Sequence, residues 1–426
     1  MEISESLGRA EVRPSPYRAI LATVIGNGLE WFDFTVYSYF AVILAKVFFP
    51  TGNDFSSLLL AVATFGVGFI MRPVGGIVLG IYADKKGRKA AMTLTIMIMA
   101  AGTTLIALTP SYATIGPIAP LIIVVARLMQ GFSAGGEMGT AAAFLTEHAP
   151  EGRRAYYSSW VLASIGFAVL LGAAAGTFVT TALDPASVIS WGWRLPFLLG
   201  ILIGPVGFYF RTRITETPVY ENKAHRVVAS PLRESITTHA RDTFGCFAMV
   251  MLWTVAIYVL LFYMPTYAAH VLHLPQSDGF ISGMVGGFTM MCSAPLAGLL
   301  ADRVGPGRVL VPSAVLVFLL AWPMFTYINA APGLVSLLVF QAIFGILTGT
   351  YTGPILYAFS QRFPSPILAT AISIAYNFGV TVFGGFAAFF VTWLIVATGS
   401  TVAPAYYVML GAAFSLLGMW LLRRGN

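Results

Sequence analysis

Apolar residues run along this chain in long blocks rather than in alternation. A bilayer core of about 30 Å is crossed by about 20 apolar residues in a helix. Twelve blocks meet that requirement, at about 19–45, 57–82, 91–109, 117–146, 156–182, 193–211, 244–269, 280–301, 309–328, 333–359, 367–396 and 404–422. Several exceed that length, so those helices are expected to tilt or to project beyond the hydrocarbon. Ten-residue alternating segments, the mark of a spanning β-barrel, do not occur. The pattern therefore predicts an all-α membrane protein of twelve transmembrane helices.

Composition sharpens this reading. Of 426 residues, 58% are apolar and only 10% charged, against roughly 25% charged in an ordinary soluble domain. Mean hydropathy is +0.82. So few charges cannot cover a soluble surface, which excludes a soluble enzyme, a nucleic-acid-binding domain and a disordered chain. The pI near 9.4 has another origin. With both termini placed in the cytoplasm, nearly all Lys and Arg fall on that side. They are Arg9, Arg13, Arg18, Lys85, Lys86, Arg88, Lys89, Arg153, Arg154, Arg211, Arg213, Lys223, Arg226, Arg233, Arg241, Arg303, Arg308, Arg362, Arg423 and Arg424. Lys46 and Arg194 fall outside, and Arg72 and Arg127 lie within spans. The basic balance is thus a positive-inside bias, and no nucleic acid partner is implied. The first apolar run is too long for a cleavable signal and carries Glu30 and Asp33. Cys246 and Cys292 lie in apolar stretches and read as buried free thiols. His270 and His273 read as an interfacial loop rather than a metal site; no metal and no cofactor is expected.

The only long polar stretch, about 212–243, divides the spans six and six. The expected organisation is a six-helix bundle over 1–211, a cytoplasmic central loop over 212–243 and a second bundle over 244–426. A weak repeat supports this. Gly80, Asp84, Gly87 and Arg88 follow the second span, and Gly298, Asp302, Arg303, Gly305 and Arg308 follow the eighth; the two aspartates are 218 residues apart. Two bundles related by pseudo-symmetry place a transport site between them, near the bilayer midplane.

A charge at a helix centre costs about 2.5–3.5 kcal/mol on insertion scales. Five sit in N-terminal spans: Glu30, Asp33, Arg72, Arg127 and Glu137. They must face one another or water. On the first span Asn27, Glu30, Asp33 or Phe34, and Tyr37 share one side at spacings of three and four. The fourth span carries Arg127, Gln130 and Glu137 beside Gly131, Gly135 and Gly139, a flat face for close helix contact. Arg127 and Glu137 stand about 15 Å apart along the helix, so each needs a partner elsewhere. The loop from Gly80 to Lys89 is tight, and Asp84 can accept from Arg88 or cap a neighbouring helix. The C-terminal half has no Asp, Glu, Lys or Arg over 309–361 or 363–422. It offers Tyr258, Tyr263, Tyr267, Gln341, Tyr351, Tyr357, Tyr376 and Asn377. Ionic chemistry thus belongs to the first half.

The loop Gly80–Lys89, and Arg127 with Gln130 and Gly131, resemble signatures of the major facilitator superfamily. "GNGLEWFDFTVYSYF", "FIMRPVGG", "QGFSAGGE", "WGWRLPF" and "TETPVY" together resemble the metabolite:proton symporter family, whose members carry citrate, 2-oxoglutarate, shikimate, dicarboxylates, proline and betaine. Two departures stand out. Pro306 and Gly307 interrupt the second-half loop, and Ile367 and Leu368 stand near where a basic residue is usual. Both point to a less tightly held second-half gate. The resemblance implies proton-coupled uptake of a small carboxylate, a di- or tricarboxylate such as citrate or 2-oxoglutarate, in a bacterial inner membrane, with a monomer as the working unit. A zwitterion such as betaine or proline is the alternative cargo, and a membrane-embedded enzyme a remote one. Expected substrate contacts are Arg72, Arg127, Asn27, Tyr37, Gln130, Tyr258, Tyr351 and Asn377. Expected gating residues are Asp84, Gly87, Arg88, Asp302 and Arg303. Asp33 is expected to carry the proton with Arg127 as its switch, because related sugar:proton symporters pair an acid on the first helix with this arginine. Glu30 and Glu137 stay open as carriers.

Overall fold

A computed structural model describes residues 16–86, 88–138, 145, 149–212 and 231–423. Over the described residues, each of the twelve apolar blocks falls mainly on helix, and no strand occurs. We label the principal helices α1 (Pro16–Tyr39), α2 (Asp54–Lys86), α3 (Arg88–Leu108), α4 (Ile118–Ala134), α5 (Arg154–Ala182) and α6 (Arg194–Thr212) in the N-terminal half. The C-terminal half holds α7 (Ala240–Val255), α8 (Gln276–Val304), α9 (Gly307–Ala330), α10 (Leu334–Thr352), α11 (Ser365–Gly379) and α12 (Pro404–Arg423). Among the described residues, eight helical spans have the length and apolarity to cross a membrane. The helix pair Glu30–Tyr39 and Ala41–Phe48 makes a ninth, bent by 68°, and Thr93–Leu108 and Ile118–Ala134 are shorter apolar helices. Leu108, Leu121, Phe178, Leu296 and Val335 are exposed, as hydrocarbon-facing residues should be.

Two spans are less regular than their hydropathy suggests. α7 widens into π turns over Ala256–Phe262 before the short helix Met264–His270, and α11 does so over Val380–Gly385 before Ala387–Thr398. A π turn rotates the following side chains relative to an α-helix and is common at functional sites. Tyr258 lies in the first of these segments.

Helices within each half approach backbone to backbone. Gly131 and Gly135 of α4 press on the carbonyls of Gly68 and Arg72 on α2, with no room for a Cβ. In the second half Gly345 and Gly349 of α10 press in the same way on Gly286 and Met290 of α8. Gly286, Met290 and Ala294 follow Gly68, Arg72 and Gly76 at the interval that separates Asp84 from Asp302. The repeat hinted at by the loops is therefore a repeat of helix packing.

The halves meet along α5–α8 and α2–α11. On the first seam Gly166 lies against Gly287 and Met291. On the second, Thr381 Oγ1 donates to the Phe69 carbonyl at 2.9 Å. Contacts cross the interface near both ends. At one, Ser38 Oγ donates to the Phe262 carbonyl at 3.3 Å and Phe40 stacks on Phe280 with centroids 5.6 Å apart. At the other, Asp302 reaches the N-terminus of α5.

Candidate substrate and proton site

The buried charges of the N-terminal half sort into two groups. One is built around Arg127. Its Nη1 donates to Gln130 Oε1, one turn further along α4. Gln130 Nε2 donates to Thr103 Oγ1 of α3 at 3.0 Å, and Thr103 Oγ1 donates to Asp33 Oδ2 on α1. Among the described residues no ion pair joins Asp33 to Arg127. The direct pairing expected from the sequence is replaced by a relay through an amide and a hydroxyl. Asp33 turns away from the other half, against α3 and α6, and a Cβ on Gly200 would meet Asp33 Oδ1 at 2.5 Å.

The second group is built around Arg72. The charge of Glu30 acts on it, together with the hydroxyls of Tyr258 and Tyr376 from the C-terminal half. Glu137 is half-buried. Arg72 is 1% exposed and Arg127 0%, yet each keeps an Nε–H without a hydrogen-bond partner. Aromatic faces compensate part of the desolvation. The Arg72 guanidinium lies 4.3 Å from the Phe69 centroid, 4.9 Å from Phe34 and 5.6 Å from Trp31. That of Arg127 lies 4.6 Å from Tyr37, 4.8 Å from Phe65 and 4.9 Å from Phe34. One desolvated cation–π contact is worth about 2 kcal/mol, the scale of the insertion cost of one charge. Phe34 thus stands beside both guanidinium groups, the position that the helical spacing left open between it and Asp33.

Tyr258 closes the site from the other half, edge-on to Phe69 at 5.4 Å and 6.1 Å from Trp31. Its hydroxyl and that of Tyr376, both buried, have no well-formed hydrogen bond. Two Nε–H groups and two hydroxyls are therefore donors without acceptors. Leaving such a group unmatched costs about 1–3 kcal/mol.

Other expected contacts already hold hydrogen bonds within the protein. Asn27 Nδ2 donates to Val161 O at 3.2 Å and Ser164 Oγ at 2.8 Å on α5. Tyr351 OH donates to the Met249 carbonyl at 2.9 Å, inside the second half. Tyr37 OH donates to Ala61 O at 3.3 Å while its ring face serves Arg127. Asn377 bridges the halves, its Nδ2 donating to Gly135 O at 3.0 Å.

At the gating positions, Asp302 Oδ1 accepts from Ala155 N and Oδ2 from Tyr156 N, both at 2.9 Å. A carboxylate of one half thus caps the first turn of a helix in the other, favourable to both bonding and dipole. This cap holds the second-half loop to the first half in spite of the interruption at Pro306 and Gly307. Arg303 is exposed. Gly87 and the side chains of Asp84 and Arg88 lie outside the described residues. Sequence reasoning missed Thr103, Phe65, Phe69 and Tyr376 as site residues. Phe65 and Phe69 share the Arg72 face of α2 at helical spacing, a signal present in the sequence. Nothing local marks Thr103.

The sequence profile of the Major Facilitator Superfamily matches residues 23–388. The citrate-proton symporter of Klebsiella pneumoniae is 37% identical over 406 residues, 95% of this chain and 91% of its own length. The proline/betaine transporter of Salmonella typhimurium is 33% identical over 94% of this chain and 82% of its own length. A crystal structure of a D-xylose-proton symporter superposes with a TM-score of 0.77 at 17% identity, over 95% of this chain and 97% of that one, a likeness of fold.

Proposed function

Because the chain belongs to the major facilitator superfamily, we propose that it takes up a small organic acid with protons by alternating access, the cargo being a di- or tricarboxylate such as citrate or 2-oxoglutarate. The observation that carries this is the cluster of donors without acceptors: Arg72 Nε, Arg127 Nε and the hydroxyls of Tyr258 and Tyr376. Carboxylates supply acceptors for all of them, and guanidinium groups bind carboxylates in a two-pronged geometry. Proton binding at Asp33 removes the negative charge that acts on Arg127, so that the guanidinium, still held by Gln130, attracts an incoming anion more strongly. Each proton that crosses the whole field with its charge contributes about 2.3 kcal/mol per 100 mV. The reading includes a bacterial inner membrane, cytoplasmic termini and a working monomer. Relatives named as citrate-proton symporters support it.

A zwitterionic cargo such as betaine or proline is the second reading, supported by relatives named for those solutes and by the aromatic content of the site. Faces of Phe34, Phe69 and Trp31 are, however, already taken by Arg72, so a quaternary ammonium placed there would meet a like charge. Labelled citrate uptake into proteoliposomes, competed by unlabelled carboxylates, betaine and proline, separates the two. Competition by carboxylates alone is expected; competition by betaine and proline alone overturns the carboxylate reading.

A further inference from the structure

Thr103 lies between two acceptors. Its Oγ1 is within hydrogen-bonding distance of Asp33 Oδ2 and, at 3.1 Å, of the Met99 carbonyl one turn back on α3. The same oxygen accepts from Gln130 Nε2 at 3.0 Å. That amide cannot turn over freely, because its Oε1 already accepts from Arg127. Thr103 is fully buried and Asp33 nearly so, at 5% exposed. A hydroxyl has one proton and two lone pairs, so Thr103 Oγ1 can serve Asp33 Oδ2 in two ways, as donor or as acceptor, while Asp33 Oδ1 is without a partner.

We propose that Thr103 is a hydroxyl rotor that keeps Asp33 hydrogen-bonded in both of its protonation states. This rests on Asp33 being the proton carrier. With Asp33 ionised, Thr103 O–H points at Oδ2, and Gln130 N–H fills one lone pair of Oγ1. When a proton binds Oδ2, the carboxyl becomes the donor and Thr103 Oγ1 its acceptor. The hydroxyl proton then swings to the Met99 carbonyl, whose second lone pair receives it. No bond in Thr103 breaks and no proton passes through it; one O–H turns, while the Gln130 and Arg127 contacts stay in place. Without the Thr103 hydroxyl, Asp33 Oδ2 and the Gln130 N–H would lose this partner in both protonation states, and a hydroxyl unable to turn would face its own proton toward the one bound at Oδ2. The surroundings suit a single titration. Arg127 of α4 is the charged group acting on Asp33; Glu30, on the same helix, acts on Arg72. Tyr37 of α1 acts on Arg127, while α3 and α6 contribute Thr103 and Gly200 at the carboxyl.

The test compares Thr103→Val, Thr103→Ala, Thr103→Ser and Asp33→Asn in proteoliposomes, normalised to protein inserted. Two readings are taken: uptake driven by a pH gradient, and counterflow exchange without one. Valine keeps the shape and removes the rotor. Uphill uptake should fall about tenfold, the scale of one buried hydrogen bond, with a changed pH profile, while exchange stays within about twofold. Serine should restore the uptake and its pH profile. Alanine serves if valine fails to insert and should behave like it. If valine or alanine lowers uptake and exchange in parallel, Thr103 is only a packing residue and the proposal fails. It also fails if both keep uphill uptake with an unchanged pH profile while Asp33→Asn loses it. If Asp33→Asn itself retains uphill uptake, the carrier assignment falls, and the rotor with it.

Discussion

The α2–α4 pair and the α8–α10 pair are two copies of one packing with different chemistry. Both use glycines on one helix to reach carbonyls on the other. In the first copy the carbonyl under Gly135 belongs to Arg72, and Arg127 stands four residues before Gly131. In the second copy those places are held by Met290 and Gln341. Backbone geometry has been kept and charge has not. The scaffold therefore does not require the arginines; they are retained at a cost of about 2.5–3.5 kcal/mol each on insertion scales. A group that is costly and structurally dispensable is a candidate for function. The second half then supplies a neutral wall, chiefly Tyr258, Tyr376 and Asn377, against which the charged half works.

This division can be attacked from both sides. The largest effect is expected from Asp33→Asn, which should lower uphill uptake into proteoliposomes by about a hundredfold or more while substrate exchange continues. Normal accumulation in that variant would move the proton to Glu30 or Glu137. Next comes Arg72→Lys. It keeps the charge but loses the planar fork and its fit to Phe69, so apparent KM for a carboxylate should rise by about tenfold with normal insertion. An unchanged KM would make Arg72 as dispensable as Met290. Asp302→Ala tests the contribution of the neutral half to gating. Losing a cap worth about 1–2 kcal/mol should favour opening at that end and slow the initial rate by about fivefold. The rank order of competing substrates should not change; if it does, Asp302 reaches the site. The smallest effect is expected at Gln341, fully buried with neither amide atom paired. Gln341→Leu removes two unmatched polar atoms, so thermal stability should hold or rise slightly and uptake should change by no more than about twofold. A large loss would show that the second copy keeps a polar role of its own.

Much of this was readable before any coordinates. Twelve apolar blocks gave twelve helical positions because a bilayer sets helix length almost independently of sequence detail. The buried arginines stood out because charge in a span is costly. Direction is what position along a helix does not give. Asn27 Nδ2 is engaged by Val161 O and Ser164 Oγ, and the Tyr351 hydroxyl by the Met249 carbonyl. Asp33 and Phe34 are neighbours, and helical spacing alone could not say which of them faces Arg127. Phe34 does so by its ring, and Asp33 turns toward Thr103. The bend after Tyr39 and the π turn holding Tyr258 have no hydropathy signature. Thr103 and Asp33, 70 residues apart, meet only in the folded bundle.

Taken as a pivot, the Gly166–Gly287 contact on the α5–α8 seam would have unequal arms. Asp302 lies about 22 Å from Gly287 along α8, and Phe280 about 10 Å in the opposite direction, at 1.5 Å per residue. A rigid tilt of about 10° about that point would move the Asp302 end by about 4 Å and the Phe280 end by about 2 Å. The first displacement exceeds a hydrogen bond's reach, while the second only loosens stacked rings. One small rotation about that point would thus work as a short lever at the aromatic end and a long one at the carboxylate end, with the glycine contact dividing the two arms.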